Sequence, residues 1–512
     1  MKRILAVVLL LLMMAAAASA SELPKAELTE FDGKRIGVQT GSIEEAKVSE
    51  TFRDPEITYY AAFPDAIVAL QTGKLDAFYA EDNGLRFVAG NAEGLTVLDT
   101  GEEGYDIAPI FQKSERGDLL RGQYNAFLKE FRESGKLDEI ARKWIDGPEE
   151  IRVMDTSALP GENGVITVAV EVGYAPYEYM KDGEVVGFEA ELLREFCKAY
   201  GYRLDIRNTT FDSIIVGVYT GKFDMGASAF SITEERKRSV NFGDAFGRAG
   251  EGILVRLDGG WTGLPLQETT GEKAGFTETV LAGLRRTFAE EDRWKLFASG
   301  IGITFLITVL SVLFGTAAGF GLYLLCRNGN KAANALVKAV NWLITGMPLV
   351  VFLMVLFYVV FARSTLSGTA VAIIGFTVVF ALTVFHLLRS GEDAVSIGQK
   401  EAAYALGYSD MDAFMRIILP QAAMHILPSY QGEVISLLKA TAVVGYITVM
   451  DVTRIGDIIR GRTYDAIFPL LAVVIAYFLL AAVCKAGVRL LARKVNTKNR
   501  PRAEIMKGVE IR

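Results

Sequence analysis

The stretch from Glu401 to Ala423 reads EAAYALGYSDMDAFMRIILPQAA and forms a polar insert between two strongly apolar segments. Gly407 supplies a turn in its middle, and Pro420 is expected to end the helix that follows this turn. Small side chains before the turn would let this part of the chain approach another helix closely (Ala402, Ala403 and Ala405). The pattern predicts two short helices joined by a tight turn. An ordinary loop between two membrane spans is the alternative.

Five apolar segments are long enough to cross a bilayer, which takes about 20 apolar residues each. Basic residues cluster after the first segment, from Arg327 to Lys338, and after the last, from Arg489 to Arg512. The excess of Lys and Arg in cytoplasmic segments of membrane proteins places both clusters in the cytoplasm. The same count puts the polar insert on that side. The expected spans are 298–325, 336–361, 366–388, 423–450 and 466–488.

Residues 1–20, MKRILAVVLLLLMMAAAASA, have the basic start, the Leu-rich run and the Ala-Ser-Ala end of a secretory signal peptide. Cleavage is expected after Ala20, and a retained anchor helix is the alternative. Both interpretations place the region that follows outside the cytoplasm.

Composition excludes several classes of function. The 512-residue chain has a net charge of −7, which argues against a nucleic acid partner. Its three cysteines are widely separated and its two histidines have no neighbours at metal-ligand spacing, so neither a disulfide framework nor a metal site is expected. The sequence has no Gly-x-x-x-x-Gly-Lys-Ser/Thr loop, so ATP binding by a P-loop is excluded.

The polar insert resembles the coupling loop of bacterial ABC importer permeases in its Glu-Ala-Ala, its Gly407 and its Ile-Leu-Pro at 418–420. The resemblance implies that residues 398–423, here called the coupling loop, form a cytoplasmic helix pair that seats in a separate ATPase subunit. Thr345–Leu349 and Leu437–Thr441 are similar to the polar amino acid branch of that family, although His386 stands where the branch commonly has Glu. The residues implied in ATPase coupling are Glu401, Ala402, Ala403, Gly407, Leu419 and Pro420.

Two blocks before the spans, 31–148 and 163–257, show strands alternating with helical patterns. Val165–Val170 predicts a strand, Gly187-Phe188-Glu189 opens a helical stretch, and a further strand begins near Phe223. This alternation predicts βαβ units on a largely parallel sheet. The 163–257 block resembles the first lobe of periplasmic binding proteins for polar amino acids, and the 31–148 block resembles the second lobe.

The motifs of the first-lobe block suit a zwitterionic ligand. Arg236 can give a bidentate pair of donors to an α-carboxylate, and the Ser231 hydroxyl can add another. The resemblance implies that Tyr174 stacks on the ligand and that Glu171 faces the bound amino acid. The alternatives are a surface arginine in the charged run 234–238 and a solvated glutamate at a strand end.

The second-lobe block supplies Thr40-Gly41-Ser42, a turn into a helix whose amides and hydroxyl can hold a carboxylate. The resemblance implies ligand contacts from Thr40 and Ser42. The stretch Gly73–Phe78 is similar to the Gly-x-x-Asp-Ala strand of the family, after which an aspartate takes the ligand ammonium. This chain has Glu81 there and Asp82 beside it, so two carboxylates are candidates.

The two lobes occur in an unusual order, with the second-lobe block first. Residues 119–144 resemble the helices that return to the first lobe in that family. This order favours a circular permutation in which both blocks close one cleft, and remnants of two binding proteins are the rival interpretation. Residues 258–294 are expected to form a tether with an amphipathic helix over 276–288, and the permease domain to cover 295–495.

The sequence therefore predicts a two-lobed α/β periplasmic-binding-protein-like domain with permuted lobes, followed by an all-α ABC importer membrane domain of five spans. The expected function is ATP-driven import of a polar amino acid, with no enzymatic activity, cofactor or metal in this chain. The expected partners are the amino acid, a separate ABC ATPase, a second permease copy in a homodimer and membrane lipid. The expected location is the inner membrane, with the binding region outside and the C-terminus in the cytoplasm.

A channel is the alternative from another class. An amino-acid-gated ion channel of the glutamate-receptor type also joins a two-lobed domain to membrane spans, and Val444-Gly445-Tyr446 weakly resembles a potassium filter. However, Ile447 follows where such a filter has a closing Gly. The coupling loop would also have no role in a channel.

Overall fold

A computed structural model describes residues 23–262, 264, 276–327, 329–463, 465 and 467–495. The expected signal peptide, residues 265–275 of the tether and the basic tail beyond residue 495 lie outside the described residues. The chain divides into two compact units. The first unit extends to residue 279 without 207–209 and 220–222, and the second contains those two short segments and the residues from 280 onward.

Strands occur in the first unit, mainly in two five-stranded sheets. They are β1 Arg35–Gln39, β2 Glu56–Tyr60, β3 Ala77–Glu81, β4 Leu95–Asp99, β5 Tyr105–Ile107, β6 Ile110–Phe111, β7 Val165–Val170, β8 Tyr179–Lys181, β9 Glu184–Val186, β10 Arg203–Asn208, β11 Met225–Gly226, β12 Asn241–Phe242, β13 Gly247–Ala249 and β14 Glu251–Arg256.

The first sheet has the strand order β2-β1-β3-β14-β4. Strand β1 is parallel to β2 and β3, and β14 runs antiparallel between β3 and β4. Ile36 and Val38 on β1 are fully buried, and they pack in one core with Phe31 and Tyr79. The parallel pairing and the buried apolar side chains are those expected of a βαβ sheet covered by helices.

The second sheet has the strand order β10-β7-β11-β6-β12. Strand β7 spans the predicted residues 165–170, and the next predicted strand is the short β11. Strands β7 and β11 are parallel, whereas β6 pairs antiparallel with both β11 and β12. The two expected strands of the first-lobe block are therefore confirmed as neighbours in one sheet.

Each block gives one strand to the sheet of the other. Strand β6 comes from the 31–148 block but lies in the second sheet, and β14 comes from the 163–257 block but lies in the first. Between them, β5 and β13 form a two-stranded antiparallel ribbon. The chain thus crosses twice from one sheet to the other, so the two blocks fold as one unit.

Helices occur in both units. Those of the first unit are α1 Ile43–Thr51, α2 Phe63–Gln71, α3 Asp82–Asn91, α4 Glu115–Glu133, α5 Lys136–Ala141, α6 Phe188–Ala199, α7 Phe211–Tyr219 and α8 Glu234–Ser239. Helix α9, Phe276–Leu284, extends across the chain division at residue 279. Those of the second unit are α10 Arg293–Arg327, α11 Lys331–Thr345, α12 Leu349–Val355, α13 Gly368–Asp393, α14 Ile397–Ala405, α15 Asp410–Ala413, α16 Leu419–Ala440, α17 Val452–Thr463 and α18 Ile467–Val495.

Helix α4 of the 31–148 block packs on the second sheet and on helix α6, and the Tyr124 ring contacts Phe111 of β6. The Tyr124 and Phe127 rings of α4 both lie 5.7 Å from the Phe196 ring of α6, measured between centroids. Beyond α5, Trp144 is fully buried and its ring contacts Tyr179 on β8. Aromatic packing of this kind holds α4 against the second sheet.

The second unit contains three helices that are long and apolar enough to cross a membrane, within 280–327, Gly368–Asp393 and Ile467–Leu490. Two further helix pairs pass the same test together but are bent, so the described residues hold three spans, or five if each bent pair counts as one. The first span begins at Arg293 and takes in the last two residues assigned to the tether.

The second and fourth expected spans are not single continuous helices. In 336–361 the chain forms α11 and then α12 with a π-helical turn, and the two parts meet at 111° around Pro348. In 423–450, α16 ends at Ala440 and a 3-10 segment follows to Ile447. Pro348 explains the first break, because the residue before a proline is kept out of the helical conformation.

Pro420 also differs from its prediction. It does not end a helix but lies in the first turn of α16, and the backbone stays helical from Ala413 through Leu419. A proline inside a helical stretch lacks the N–H for one backbone hydrogen bond, so Pro420 marks an irregular point in this continuous stretch. A π-helical turn over Phe414–Ile418 precedes it.

Helices α10 and α13 pack closely because glycines face the contact. A Cβ at Gly319 would lie 2.4 Å from the Ala381 carbonyl oxygen, and one at Gly315 would lie 2.8 Å from Phe380 Cβ. Two glycines four residues apart let helix backbones approach closely in membranes. The two helices therefore form one tightly packed pair.

Candidate functional site

A small cavity of about 30 Å³ lies between the two sheets of the first unit. Five of the predicted ligand residues line it: Ser42, Glu81, Tyr174, Ser231 and Arg236. Residues from both blocks meet there, because Ser42 and Glu81 follow strands of the first sheet and the other three belong to the 163–257 block. The predicted residues of the two blocks therefore share one cleft.

Arg236 extends from α8 across this cleft. Its guanidinium donates to the Ser231 carbonyl oxygen at 3.0 Å and to the Gly41 carbonyl oxygen at 2.7 Å. The guanidinium carbon lies 5.3 Å from the centre of the Phe230 ring and 5.7 Å from that of Phe211. Burial lowers the pKa of Arg236 below its usual value, although an arginine stays charged at neutral pH. Within the described part of the chain, no carboxylate forms an ion pair with this cation.

Glu81 is a buried carboxylate that lines the same cavity. It accepts hydrogen bonds from the Tyr177 hydroxyl at 2.9 Å and the Tyr174 hydroxyl at 3.0 Å. It also caps α3, accepting from the amides of Asn83 and Gly84. Burial, together with the charge of neighbouring Asp82, raises the pKa of Glu81 to about 7. An ammonium group beside Glu81 would favour its charged form.

Tyr174 presents an aromatic ring to the same space, as predicted. It stacks on Tyr177 with ring centres 5.4 Å apart and packs edge-on against Phe63 at 5.1 Å. Its hydroxyl is held by Glu81. The ring is thereby fixed at the wall of the cavity, where an aromatic face can attract a cation.

Glu171 lies at the end of β7 and connects the two sheets. The Gln39 side chain donates to its Oε2 at 2.7 Å, and the Glu171 amide donates to the Ser228 hydroxyl at 2.9 Å. Glu171 is buried, so the alternative of a solvated strand-end glutamate does not hold. It lies behind Gln39, which itself lines the cavity.

Thr40 and Asp82 lie outside the cavity lining. The Thr40 amide donates to the Tyr60 carbonyl oxygen, which ties this residue to β2. Asp82 accepts from the Gly250 amide at 3.0 Å and pairs with Arg86. Of the two candidate carboxylates, Glu81 faces the cavity and Asp82 faces away from it. Ser42 accepts from the Glu45 amide as the cap of α1, so its hydroxyl is already engaged.

Several lining residues were not predicted. Gln39, Glu44, Phe63 and Phe211 all line the cavity. Glu44 is buried at the start of α1, and desolvation raises its pKa. An acidic residue in the first turn of a helix is so common that Glu44 carried no signal of a site. Gln39 lies on a strand, and only its contact with Glu171 in the structure indicates a role at the site.

A buried pair of carboxyl groups supports the cleft from behind. Glu189 accepts from the amides of Ser228 and Ala229 at 3.0 and 2.8 Å, and the carboxyl group of Glu178 lies against it. Burial, and for Glu178 also the charge of Glu189, raises the pKa of both groups. A shared proton therefore suits this pair, since two adjacent buried carboxyl groups cannot both ionise. The pair fixes the Ser228–Ala229 turn that lines the cavity.

The coupling loop forms a pair of short helices in the second unit. Helix α14 ends at Ala405, and Gly407 makes the turn with φ +84° before α15 begins at Asp410. Ser409 caps α15 by accepting from the Asp412 amide. This confirms the predicted helix–turn–helix. The left-handed conformation explains why the turn uses glycine.

The exposed surface of this helix pair is unusually apolar. Leu406 is 77% exposed, and Tyr408, Met411 and Met415 are also exposed. Of the residues implied in coupling, Glu401, Ala402 and Pro420 are exposed, Leu419 is half-buried, and Ala403 is buried against the unit. A polar loop with several exposed large apolar side chains has the character of a contact surface.

Two family descriptions match this chain. Residues 311–497 match the binding-protein-dependent transport system inner membrane component family. Residues 166–349 match the bacterial extracellular solute-binding proteins, family 3, so that match begins in the first-lobe-like block and does not include 31–148. Permease and solute-binding signatures therefore occur in one chain.

The chain belongs to the binding-protein-dependent transport system inner membrane component family, whose members here are permeases of amino acid ABC transporters. It is similar to a putative glutamine transport system permease protein of Rickettsia bellii, 30% identical over 201 residues that cover 38% of this chain and 91% of the relative. It is also similar to the L-cystine transport system permease protein of Bacillus subtilis, 30% identical over 39% of this chain and 87% of the relative.

One solved structure, described as an amino acid ABC transporter with histidines, is 27% identical and covers 43% of this chain and 99% of its own, with a TM-score of 0.36. The family membership and the apolar helices of the second unit make the protein a multi-pass protein of the inner membrane.

Proposed function

We propose that this protein imports a polar amino acid with the energy of ATP hydrolysed by a separate subunit. The carrying observation is the cleft of the first unit, in which Arg236 of the 163–257 block and Glu81 of the 31–148 block line one cavity. A guanidinium from one block and a carboxylate from the other match the two charges of an α-amino acid. The same chain also belongs to a permease family, so transport is the purpose that we propose for capture of the amino acid.

The proposed ligand is neutral or cationic. The cavity is lined by two carboxyl groups, Glu44 and Glu81, and one cation, Arg236. A ligand with an acidic side chain would add negative charge to a buried site, which is costly. Glutamine, histidine, arginine and cystine are the candidates that this balance favours.

We further propose that the lobes are circularly permuted. The exchange of β6 and β14 between the sheets supports this interpretation, because each lobe needs a strand from the other block. Two independent remnants would each have kept their own strands. In this proposal the ligand contacts come from the cavity-lining residues Arg236, Ser231, Tyr174, Ser42 and Glu81, and Glu171, Thr40 and Asp82 support the cleft from outside the lining.

The membrane part is proposed to cross the bilayer five times, with the first unit outside, the C-terminus in the cytoplasm and two copies forming the pathway. The exposed Leu406 and its apolar neighbours on the coupling loop would dock on the ATPase. Nucleotide-driven movement of the ATPase would then reorient the pathway.

Calorimetric titration of the purified full chain with L-glutamine, L-histidine, L-arginine and L-cystine tests the capture step. We expect one of them to bind at one site per chain, and Arg236→Ala to abolish that binding. Absence of binding by all four, or unchanged affinity in the variant, would contradict the proposed site.

The channel alternative makes a different prediction. Ligand-gated current in bilayers that contain the chain without any ATPase would favour it. ATP hydrolysis stimulated by the amino acid in a complex with an ATPase would favour the importer. The comparisons give the channel no support, since the similar proteins reported above are transport permeases.

A further inference from the structure

Arg327 lies in a polar cavity of the second unit, at the end of the first membrane helix. The cavity has a volume of about 350 Å³ and is lined by charges of both signs. Arg327 is the last residue of α10, and its side chain is only 8% exposed. A buried guanidinium needs charged or hydrogen-bonding partners, so its contacts define what it does.

Arg327 pairs with the coupling loop. Its guanidinium donates to both carboxylate oxygens of Asp410, at 2.5 and 3.2 Å, and its carbon lies 4.5 Å from the centre of the Phe414 ring. Asp410 is the first residue of α15, and the Tyr404 hydroxyl of α14 donates to it as well. This bidentate ion pair fixes both the distance and the relative orientation of the two side chains, which a lysine in place of the arginine cannot do.

Arg327 also contacts Glu392 near the end of α13. Its Nε donates to Glu392 Oε1 at 3.3 Å, and the Tyr323 hydroxyl of α10 donates to the same carboxylate. Lys400 of α14 lies 4.0 Å from Glu392. One arginine thus touches three separate elements: the end of α13, the start of α15 and its own long helix.

The chain itself does not join α10 to the coupling loop. Helix α13 leads into α14 through a short link, and α15 leads through a π-helical turn into α16, so these helices are pulled directly when the loop moves. Helix α10 is 35 residues long, about 50 Å at 1.5 Å per residue. Helix α10 follows the loop indirectly through its packing on α13 and directly through side-chain contacts, among which the Arg327–Asp410 pair is charged and directional.

We propose that Arg327 is the positioning residue that transmits movement of the coupling loop to α10. This inference rests on the proposed function, since it assumes that an ATPase moves the loop. When the loop shifts, Asp410 pulls the buried guanidinium and with it the end of the helix. The close packing at Gly315 and Gly319 then makes α10 and α13 move together.

The test uses the complex that co-purifies with the tagged full chain from membranes of the source organism, reconstituted in liposomes. The measured quantity is the amount of amino acid imported per ATP hydrolysed, with radiolabelled L-glutamine, L-arginine or L-cystine as the probe. This ratio does not depend on how much complex assembles. We expect Arg327→Gln and Asp410→Asn each to lower it about tenfold or more, because hydrolysis continues while the pathway no longer follows.

The double variant Arg327→Asp with Asp410→Arg restores the pair in reverse and should recover the ratio severalfold over either single variant. Arg389→Gln is the matched control, because Arg389 lines the same cavity and its side chain is exposed. If Arg327→Gln does not assemble, Tyr404→Phe removes one hydrogen bond from Asp410 without changing charge, and a lowered ratio is expected there too.

Wild-type ratios in Asp410→Asn and in whichever of Arg327→Gln and Tyr404→Phe assembles would overturn the inference. An equally large reduction of the ratio in Arg389→Gln would also overturn it, since the effect would then come from loss of any charge in the cavity and not from the Arg327–Asp410 pair. If the unmodified complex shows no ATP-dependent import, the proposed function itself is wrong. This failure can be told apart from failure of the Arg327 inference, because it is seen before any variant is tested.

Discussion

The two units each contain a buried or half-buried arginine, and the two arginines have different partners. In the first unit, Arg236 donates to the carbonyl oxygens of Gly41 and Ser231 and stacks on aromatic rings. In the second unit, Arg327 donates to the carboxylates of Asp410 and Glu392. The carbonyl oxygens that contact Arg236 carry no charge, and Glu44 acts on it without forming an ion pair, whereas the carboxylates that contact Arg327 neutralise its charge. Arg236 is therefore suited to receive an anionic group from outside, and Arg327 is suited to hold two parts of the protein together.

The largest expected effect tests the first half of this comparison. Arg236→Ala should weaken amino acid binding about 100-fold or more, because it removes a charge-assisted bidentate contact and leaves the ligand carboxylate buried without a partner. Arg236→Lys should recover only part of the loss, since a lysine keeps the charge but not the fork geometry. Calorimetric titration of the full chain measures both.

Lys237→Ala is the control for this experiment, because Lys237 is exposed next to Arg236 and pairs with Glu234 on the surface. It should bind like the unmodified chain. Equal affinity in Arg236→Ala and Lys237→Ala would show that the guanidinium in the cleft does not receive the ligand.

The next effect separates capture from transmission. Leu406→Asp should lower ATP-dependent import about tenfold or more while ligand affinity stays unchanged, because it puts a charge into the apolar surface of the coupling loop and interferes with docking on the ATPase. Leu119→Asp is the matched control, since Leu119 is an exposed leucine on α4 of the first unit, 56% exposed. Import assays and calorimetric titration of the same preparations test the coupling loop and the cleft separately. A loss of amino acid binding in Leu406→Asp would contradict the assignment of capture to the cleft and of ATPase docking to the coupling loop.

Several of the residues that distinguish the two units could be predicted from the sequence. Arg236, Glu81 and Tyr174 were predicted and lie on one cavity, because strand ends and helix starts of a βαβ fold bring such residues to one edge. The helix pair around Gly407 was predicted from its glycine and its alanines. Local sequence patterns were sufficient to predict those site residues whose position follows from the order of strands and helices along the chain.

The remaining features depend on contacts between distant residues. Gln39 meets Glu171 across 132 positions, and Arg327 meets Asp410 across 83. Nothing at Arg327 distinguishes it from the other basic residues that follow a first span. The bend at Pro348 was missed because hydropathy reports the apolar length of a segment but not its direction. Partners of this kind are set by packing and not by local sequence.

A pH effect tests the carboxylate that faces Arg236. Glu81 has a pKa raised to about 7 by burial, and a bound ammonium favours the ionised form and lowers that pKa. Binding below pH 7 must therefore release a proton, so affinity should fall about tenfold per pH unit as the pH drops below 7. Calorimetry at pH 5.5, 6.5 and 7.5 would measure the slope. Glu81→Gln should bind more weakly and lose the slope, whereas the same slope in this variant would assign the titration to another group.

The smallest effect concerns the hydroxyl that holds this carboxylate. The Tyr177 hydroxyl donates to Glu81 at 2.9 Å and lowers the pKa of Glu81, against the effect of burial. Tyr177→Phe removes that donor, so the pKa of Glu81 should rise and the fall in affinity should begin at a higher pH. At pH 7 we expect affinity about two- to fivefold weaker, in line with the loss of one hydrogen bond to a charged group. Tyr179→Phe is the control, because Tyr179 is also a buried tyrosine of the first unit and its ring packs on Phe87 and Trp144. An unshifted pH profile in Tyr177→Phe would mean that the Tyr174 hydroxyl and the backbone amides at the start of α3 set the charge of Glu81 without it.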